Sequence, residues 1–203
     1  PECGIDIEPD DPGIAVTTVM ADLLKQIAAA RGEGKCPVAD VVHGTTLVTN
    51  TLIERKGART GLVVTQGTRD VLTIAREIRY DLYDLNLEIP QPLVPEDKRV
   101  EAVERLDVSG AVATQLTSAE VERVLDELEA LNVEAIAVCL LHAYVNDVHE
   151  KQIAAAVKKR FPGLAISISS GIAREIREYE RMSTTVANAY VQPLMTEYLN
   201  RLD

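Results

Sequence analysis

Aromatic side chains make up only 3% of this 203-residue chain and tryptophan is absent. The core must therefore come from Val, Ile, Leu and Ala, a palette suited to helices covering a mostly parallel sheet. Positive charge is scarce too, with 21 Lys and Arg against 32 Asp and Glu and a formal charge of −11. Without a basic stripe to neutralise phosphates, DNA and RNA are excluded as expected partners. No apolar run reaches the roughly 18 residues of a membrane span, and the first residues lack the basic-then-apolar order of a secretory signal, so the expected compartment is the cytoplasm. Cys3, Cys36 and Cys139 stand far apart. They show neither a Cys-x-x-Cys pair nor a nearby His pattern, which argues against a disulfide framework or a zinc site and leaves free thiols, with Cys139 buried. Also missing are a Ser-His-Asp order, a Walker loop, a metal triad and an internal repeat. What remains is 46% hydrophobic, enough for a substantial core.

Residues 1–13 combine Pro9, Pro12, Gly4 and Gly13 with five acids and read as an extended lead-in. From Ile14 to Ala30, Val16, Val19, Met20, Leu23, Leu24 and Ile27 recur on one helical face that Arg31-Gly32 closes. Ala39–Val42 reads as a strand, Thr46–Lys56 as a helix stopped by Gly57, and Gly61–Thr65 as a second strand, together a parallel crossover. Gln66-Gly67-Thr68 is a turn, with Thr68 expected to cap a short helix over 69–78. Periodicity dissolves between Arg79 and Pro95, a loop. Val100–Leu106 and Ala111–Ala113 flank the turn Asp107-Val108-Ser109-Gly110 as an antiparallel hairpin. Thr117 and Glu120 form a capping box before a helix whose face is Val121, Val124, Leu125, Leu128 and Leu131. Ala135–Leu141 suits a strand buried on both faces. Asn146 or Asp147 caps the next helix, which ends at Lys158-Lys159-Arg160, and Leu164–Ser169 completes a second parallel unit. The charged stretch Arg174–Arg181 leads into a last helix in which Pro193 is expected to cause a kink or break. The expected fold class is α/β, with a mixed, mostly parallel sheet and flanking helices. Residues 1–203 form one domain, divisible into 1–95 and 96–203.

The junction His43-Gly44-Thr45-Thr46-Leu47-Val48-Thr49-Asn50, entered from Val41-Val42, joins an apolar strand to a polar helix start. Such a turn aims several backbone N–H groups and a positive dipole end at one spot, which suits phosphate or carboxylate. Equally, Thr45 or Thr46 can serve as a plain helix cap, with Gly44 easing the bend.

This junction, with Glu54-Arg55-Lys56-Gly57-Ala58-Arg59-Thr60-Gly61-Leu62, Gly67-Thr68-Arg69-Asp70-Val71-Leu72 and Asp81-Leu82-Tyr83-Asp84-Leu85, resembles the N-terminal region of the hydantoinase A / 5-oxoprolinase family. Downstream, Ala137–Tyr144 and Ile176–Arg181, running into Ser183-Thr184-Thr185-Val186 and Asn188-Ala189-Tyr190-Val191, look like later blocks of the same family in the same order. The resemblance implies an ATP-dependent enzyme that opens cyclic amides of the hydantoin, N-methylhydantoin or 5-oxoproline type. It also admits the related acetone carboxylase subunit. The implied fold is part of an actin-like, sugar-kinase-like (ribonuclease H-like) ATPase. Family members begin with a strand carrying Asp-x-Gly-Gly-Thr-Phe-Thr-Asp, whose hairpin is expected to cradle ATP phosphates, and that motif does not occur here. The expectation is a fragment truncated at its N-terminus and inactive alone, with ATP and Mg2+ used by the full-length enzyme. The rest of that enzyme or a partner subunit would complete it, and a non-catalytic interface module or a homo-oligomer is the alternative role.

In the family reaction, phosphorylation of the amide oxygen creates a leaving group so that water can open the ring, which requires phosphate donors, magnesium ligands and a general base. His43 is the foremost candidate base or orienting group, ahead of His142 and His149, because it ends an apolar strand beside a polar turn; a structural His bonded to backbone is the plainer role. Gly44, Thr45, Thr46 and Asn50 are candidates for contact with nucleotide or substrate, as are Arg76, Arg79, Asp81 and Tyr83 in the polar loop, where an anionic substrate or mere solvent would meet them. Arg177, Glu178, Glu180 and Arg181 have the spacing of ion pairs along a helix.

Overall fold

The computed structural model describes residues 12–31, 42, 44–78, 83, 84, 86 and 90–202. They fall into two compact units, Pro1–Asn50 with Leu194–Asp203, and Thr51–Pro193. In the first unit α1 spans Pro12–Arg31. Pro12 and Gly13 thus open a helix instead of ending a lead-in, because proline's fixed φ suits a first helical turn. The expected strand Ala39–Val42 lies outside the described residues except for Val42, which is exposed. Helix α2 covers Leu47–Ile53.

The second unit is built on four strands, β1 (Thr60–Thr65), β2 (Arg99–Ala102), and further along the chain β5 (Ala135–Cys139) and β6 (Ala165–Ile168). Between them, β3 (Arg105–Leu106) and β4 (Val112–Thr114) pair antiparallel as a separate hairpin. The main sheet has the order β2-β1-β5-β6 and every pair in it is parallel, with Leu62 opposite Arg99 and Ala137, and Ile136 opposite Ile166. Expected as one arm of a hairpin, Val100–Leu106 instead divides. Its first half joins the main sheet, where Val100 and Ala102 are buried, and only its second half turns back on β4.

Strand alternation distributes the core to two faces. Val63, Ile136 and Val138 pack with Val121, Val124, Leu125 and Leu128 of α4 (Ser118–Ala130) and with Ile153 and Val157 of α5 (Val148–Arg160). Leu62, Val64, Ala135, Ala137 and Cys139 meet Met182, Val186 and Ala189. Those three lie on α7 (Glu178–Leu202), which continues through Pro193 without the expected break. Both faces are apolar, so the strands read as continuous hydrophobic runs. Gly57 has a specific reason: a Cβ there would come within 2.1 Å of the Tyr190 ring, where Ala58 N–H bonds the Tyr190 carbonyl at 2.9 Å.

Local signals were read with mixed success. Thr117 caps α4 by accepting the Glu120 N–H at 3.2 Å, while the Glu120 carboxylate turns to Val103 N–H and Arg123 and so does not close a reciprocal box. Thr68 does not cap a helix. Its hydroxyl donates to the Thr65 carbonyl at 2.7 Å, and α3 is only Val71–Ile74, ended where Ala75 and Glu77 take left-handed backbone angles.

Cys139 is buried as expected, and desolvation pushes its thiol up to about 12. An exposed thiol ionises near ~8.5, so the unfolded chain loses this proton first. Stability should therefore fall as pH rises from about 8.5 towards 12, by up to ~1.4 kcal/mol per unit from this group. With Cys3 and Cys36 replaced by Ser, iodoacetamide at pH 8 should leave the native protein unmodified and alkylate it only on unfolding. Rapid labelling of the native chain would contradict this burial.

Candidate functional site

In an open α/β sheet, ligands gather beyond the carboxyl ends of the strands where consecutive connections leave in opposite directions. Here the chain passes outward from β1 to β2 and outward, on the other side, from β5 to β6, so that point lies between β1 and β5. The residues just past these strand ends form two buried polar networks.

The first begins at Thr65, the last residue of β1. Its hydroxyl accepts the Leu141 N–H at 2.8 Å and donates to Glu104, whose second oxygen lies 2.7 Å from His149 Nδ1. His149 Nε2 accepts the Leu116 N–H at 3.4 Å, which assigns the ring proton to Nδ1 and makes it the donor to Glu104. Both imidazole nitrogens are engaged and the residue is fully buried. His149 is a strut and has no free nitrogen with which to act as a base.

The second network centres on Glu150, also fully buried. Its carboxylate accepts from Leu140 N–H at 3.0 Å, Ser169 Oγ at 2.5 Å and Ser170 N–H at 2.9 Å. Arg181 Nη1 donates to the Leu140 carbonyl at 2.9 Å and to Ser169 Oγ at 2.7 Å, with its guanidinium 5.8 Å from the Tyr144 ring centre. Carboxylate and guanidinium are thus joined through Ser169. A buried charge pair held this way ties the ends of β5 and β6 to α5 and α7, and removing either member leaves the other uncompensated. Arg181 was expected in an exposed helical ion pair; it is 1% exposed and turns inward, and of that set only Arg177–Glu180 forms a contact, at 4.0 Å. His142 Nδ1, Ser170 Oγ and Arg181 Nε are buried without a hydrogen-bond partner among the described residues, and His142 has φ of 58°.

Of the residues singled out from the sequence, His43, Arg79 and Asp81 lie outside the described residues. Gly44, Thr45, Thr46 and Asn50 are exposed in the first unit, and Arg76 and Tyr83 are exposed in the second. Thr45 Oγ1 accepts the Leu47 N–H at 3.2 Å and so caps α2, while Asn50 Nδ2 donates to Thr46 Oγ1 at 3.4 Å. An added Cβ at Gly44 would meet nothing within 4 Å. The turn is exposed and encloses nothing. Arg76 grips Glu180 through Nε at 2.7 Å and Nη2 at 2.6 Å. Among the described residues no group of three or more His, Cys, Asp or Glu could hold a metal ion. No helix among them is long and apolar enough to cross a membrane.

Thr65, Glu104, His149, Glu150, Ser169 and Arg181 were not anticipated as a set. A signal was present for Thr65 and Ser169, polar residues at the ends of apolar strands, but not for His149 and Glu150 in the first turn of α5 or Arg181 in α7, where a polar residue reads as solvated.

Known proteins share this architecture. The caprolactamase subunit alpha of Pseudomonas jessenii is 32% identical over 193 residues, 92% of this chain and 28% of that protein. 5-Oxoprolinase 1 of Arabidopsis thaliana is 32% identical over 175 residues, 77% of this chain and 14% of that protein. Among solved structures, the ATP-dependent caprolactamase from Pseudomonas jessenii superposes with a TM-score of 0.80 over 91% of this chain and 28% of its own, at 32% identity. The nucleotide-free acetone carboxylase, from work on ATP-dependent acetone carboxylation, gives 0.68 over 78% and 24%, at 25% identity. This chain therefore spans less than a third of the length of these relatives and shares the α/β fold of a part of them. Residues 5–161 match the family model described as the hydantoinase/oxoprolinase N-terminal region, and the chain belongs to that family.

Proposed function

We propose that this chain takes part in the ATP-dependent hydrolysis of a cyclic amide of the hydantoin, N-methylhydantoin or 5-oxoproline type. The observation that carries this reading is the likeness to an ATP-dependent caprolactamase across nine-tenths of the chain, in sequence and fold together. ATP, used with Mg2+, would supply the phosphoryl group that converts the amide oxygen into a leaving group. His43 would act as the general base or orient the attacking water. Gly44, Thr45, Thr46 and Asn50 would line one wall of the cleft, offering backbone N–H groups from the open turn. Arg76, Arg79, Asp81 and Tyr83 would lie near substrate, and Arg76 would have to exchange its contact with Glu180 for an anionic group. That a relative is named as a subunit supports assembly with a partner subunit, and the location proposed is the cytoplasm.

A carboxylase-type reading is favoured by the acetone carboxylase superposition and by 31% identity to an acetophenone carboxylase gamma subunit, and the superposition is poorer in coverage and TM-score than the caprolactamase one. Measuring ADP release by the intact enzyme separates the two. Ring opening predicts ADP release stimulated by hydantoin or 5-oxoproline and unaffected by acetone with bicarbonate. Stimulation by the ketone mixture alone would reverse the assignment.

A further inference from the structure

We propose that a second site, alongside the edge strand β2, binds an oxyanion between Arg69 and Arg99. A cavity of about 380 Å³ opens there, beside Gln66 of the turn after β1, with Arg69, Arg99, Glu101, Arg123 and Glu127 on its walls. Arg99 is only 3% exposed, yet all its partners are neutral: Nε and Nη2 bond the Val94 carbonyl at 3.1 and 3.0 Å, and Nη1 bonds the Arg69 carbonyl and Thr73 Oγ1 at 2.9 Å each. A guanidinium has five N–H donors, so four bonds leave one over. Its charge touches no carboxylate directly among the described residues; the nearest link is through Thr73 Oγ1, which donates on to Glu96 Oε1 at 3.3 Å, so a direct anionic partner would add to what that bridge supplies. Desolvation lowers its pKa, with only the more distant Glu96 and Asp70 opposing.

Arg69 is the accessible partner. Its one described bond runs from Nη2 to the Glu96 carbonyl at 2.5 Å, so most of its fork is unused. Arg123 is held by both Glu120 and Glu127, and Glu101 accepts the Gly67 N–H at 2.8 Å. The N–H groups left for an incoming anion are therefore those of Arg69 and the spare donor of Arg99, neither of which bonds a carboxylate directly among the described residues. Planar forks of this kind select phosphate or carboxylate by paired N–H bonds. This site is independent of the ring-opening reading, since it rests on the cavity and on the unused guanidinium donors alone.

Thermal unfolding of the 203-residue chain tests it, in sodium phosphate, sodium acetate and sodium chloride at matched ionic strength. Phosphate or acetate should raise Tm in a saturable way, and whichever does so more strongly identifies the class of anion. Arg69→Gln should weaken the half-saturating concentration about tenfold or more, Arg69→Lys should restore part of it, and Arg160→Gln, on the distant α5 surface, should change nothing. Equal responses to all three salts, or an Arg69→Gln protein with the wild-type response, would overturn the site.

Discussion

Replacing Glu150 by alanine is expected to destabilise the fold by about 3–5 kcal/mol, the range for removing one partner of a buried, hydrogen-bonded charge pair. The carboxylate takes two backbone N–H groups and the Ser169 hydroxyl, and all three would lose their acceptor at once. Arg181 would remain buried with its compensating charge gone. Against a typical total of about 5–15 kcal/mol, a loss of this size would show as a much lower urea midpoint with an unchanged slope. Glu150→Gln should cost less, because one amide oxygen can still serve Leu140 and Ser169 while its NH2 opposes the Ser170 N–H. An alanine variant with a wild-type midpoint would mean that the strand ends are held by apolar packing alone.

For His43→Ala in the intact enzyme, turnover is expected to fall about a hundredfold or more if the imidazole moves a proton in the reaction. Loss of the acid limb in the pH–rate profile should accompany it. The urea midpoint distinguishes this role from a structural one. A catalytic His43 predicts lost rate with nearly unchanged stability, and a backbone-bonded structural His predicts the reverse. Asn50→Ala should have the smaller effect, since Asn50 already bonds Thr46 within the same helix. A variant retaining near-normal turnover would remove His43 from the chemistry.

Much of the fold was legible because the same residues carry local and global signals. Val121, Val124, Leu125 and Leu128 sit on one helical face and all four are buried. Ala135–Cys139 reads as doubly buried because alternate residues face α5 and α7. The division of Val100–Leu106 between two sheets was not legible, since a β pattern states burial and not which neighbour supplies it. Thr68 misled because a hydroxyl before a helix can close the preceding turn as readily as cap the next one. At the candidate site, the Thr45 cap was read correctly, whereas Arg181 was not. Its spacing from Arg177 and Glu178 describes a solvated helix, and only the approach of Leu140 and Ser169, 41 and 12 residues away in sequence, shows that it is interior.

Transfer of the amide oxygen to phosphate is the step on which the functional reading turns. Ring opening of a lactam labelled with ¹⁸O at its carbonyl should be followed in the intact enzyme by mass analysis of both products. If the phosphorylated oxygen leaves, both oxygens of the new carboxylate come from water, the ring nitrogen departs with a proton, and the label appears in inorganic phosphate. Label retained in the carboxylate, with unlabelled phosphate, would contradict it.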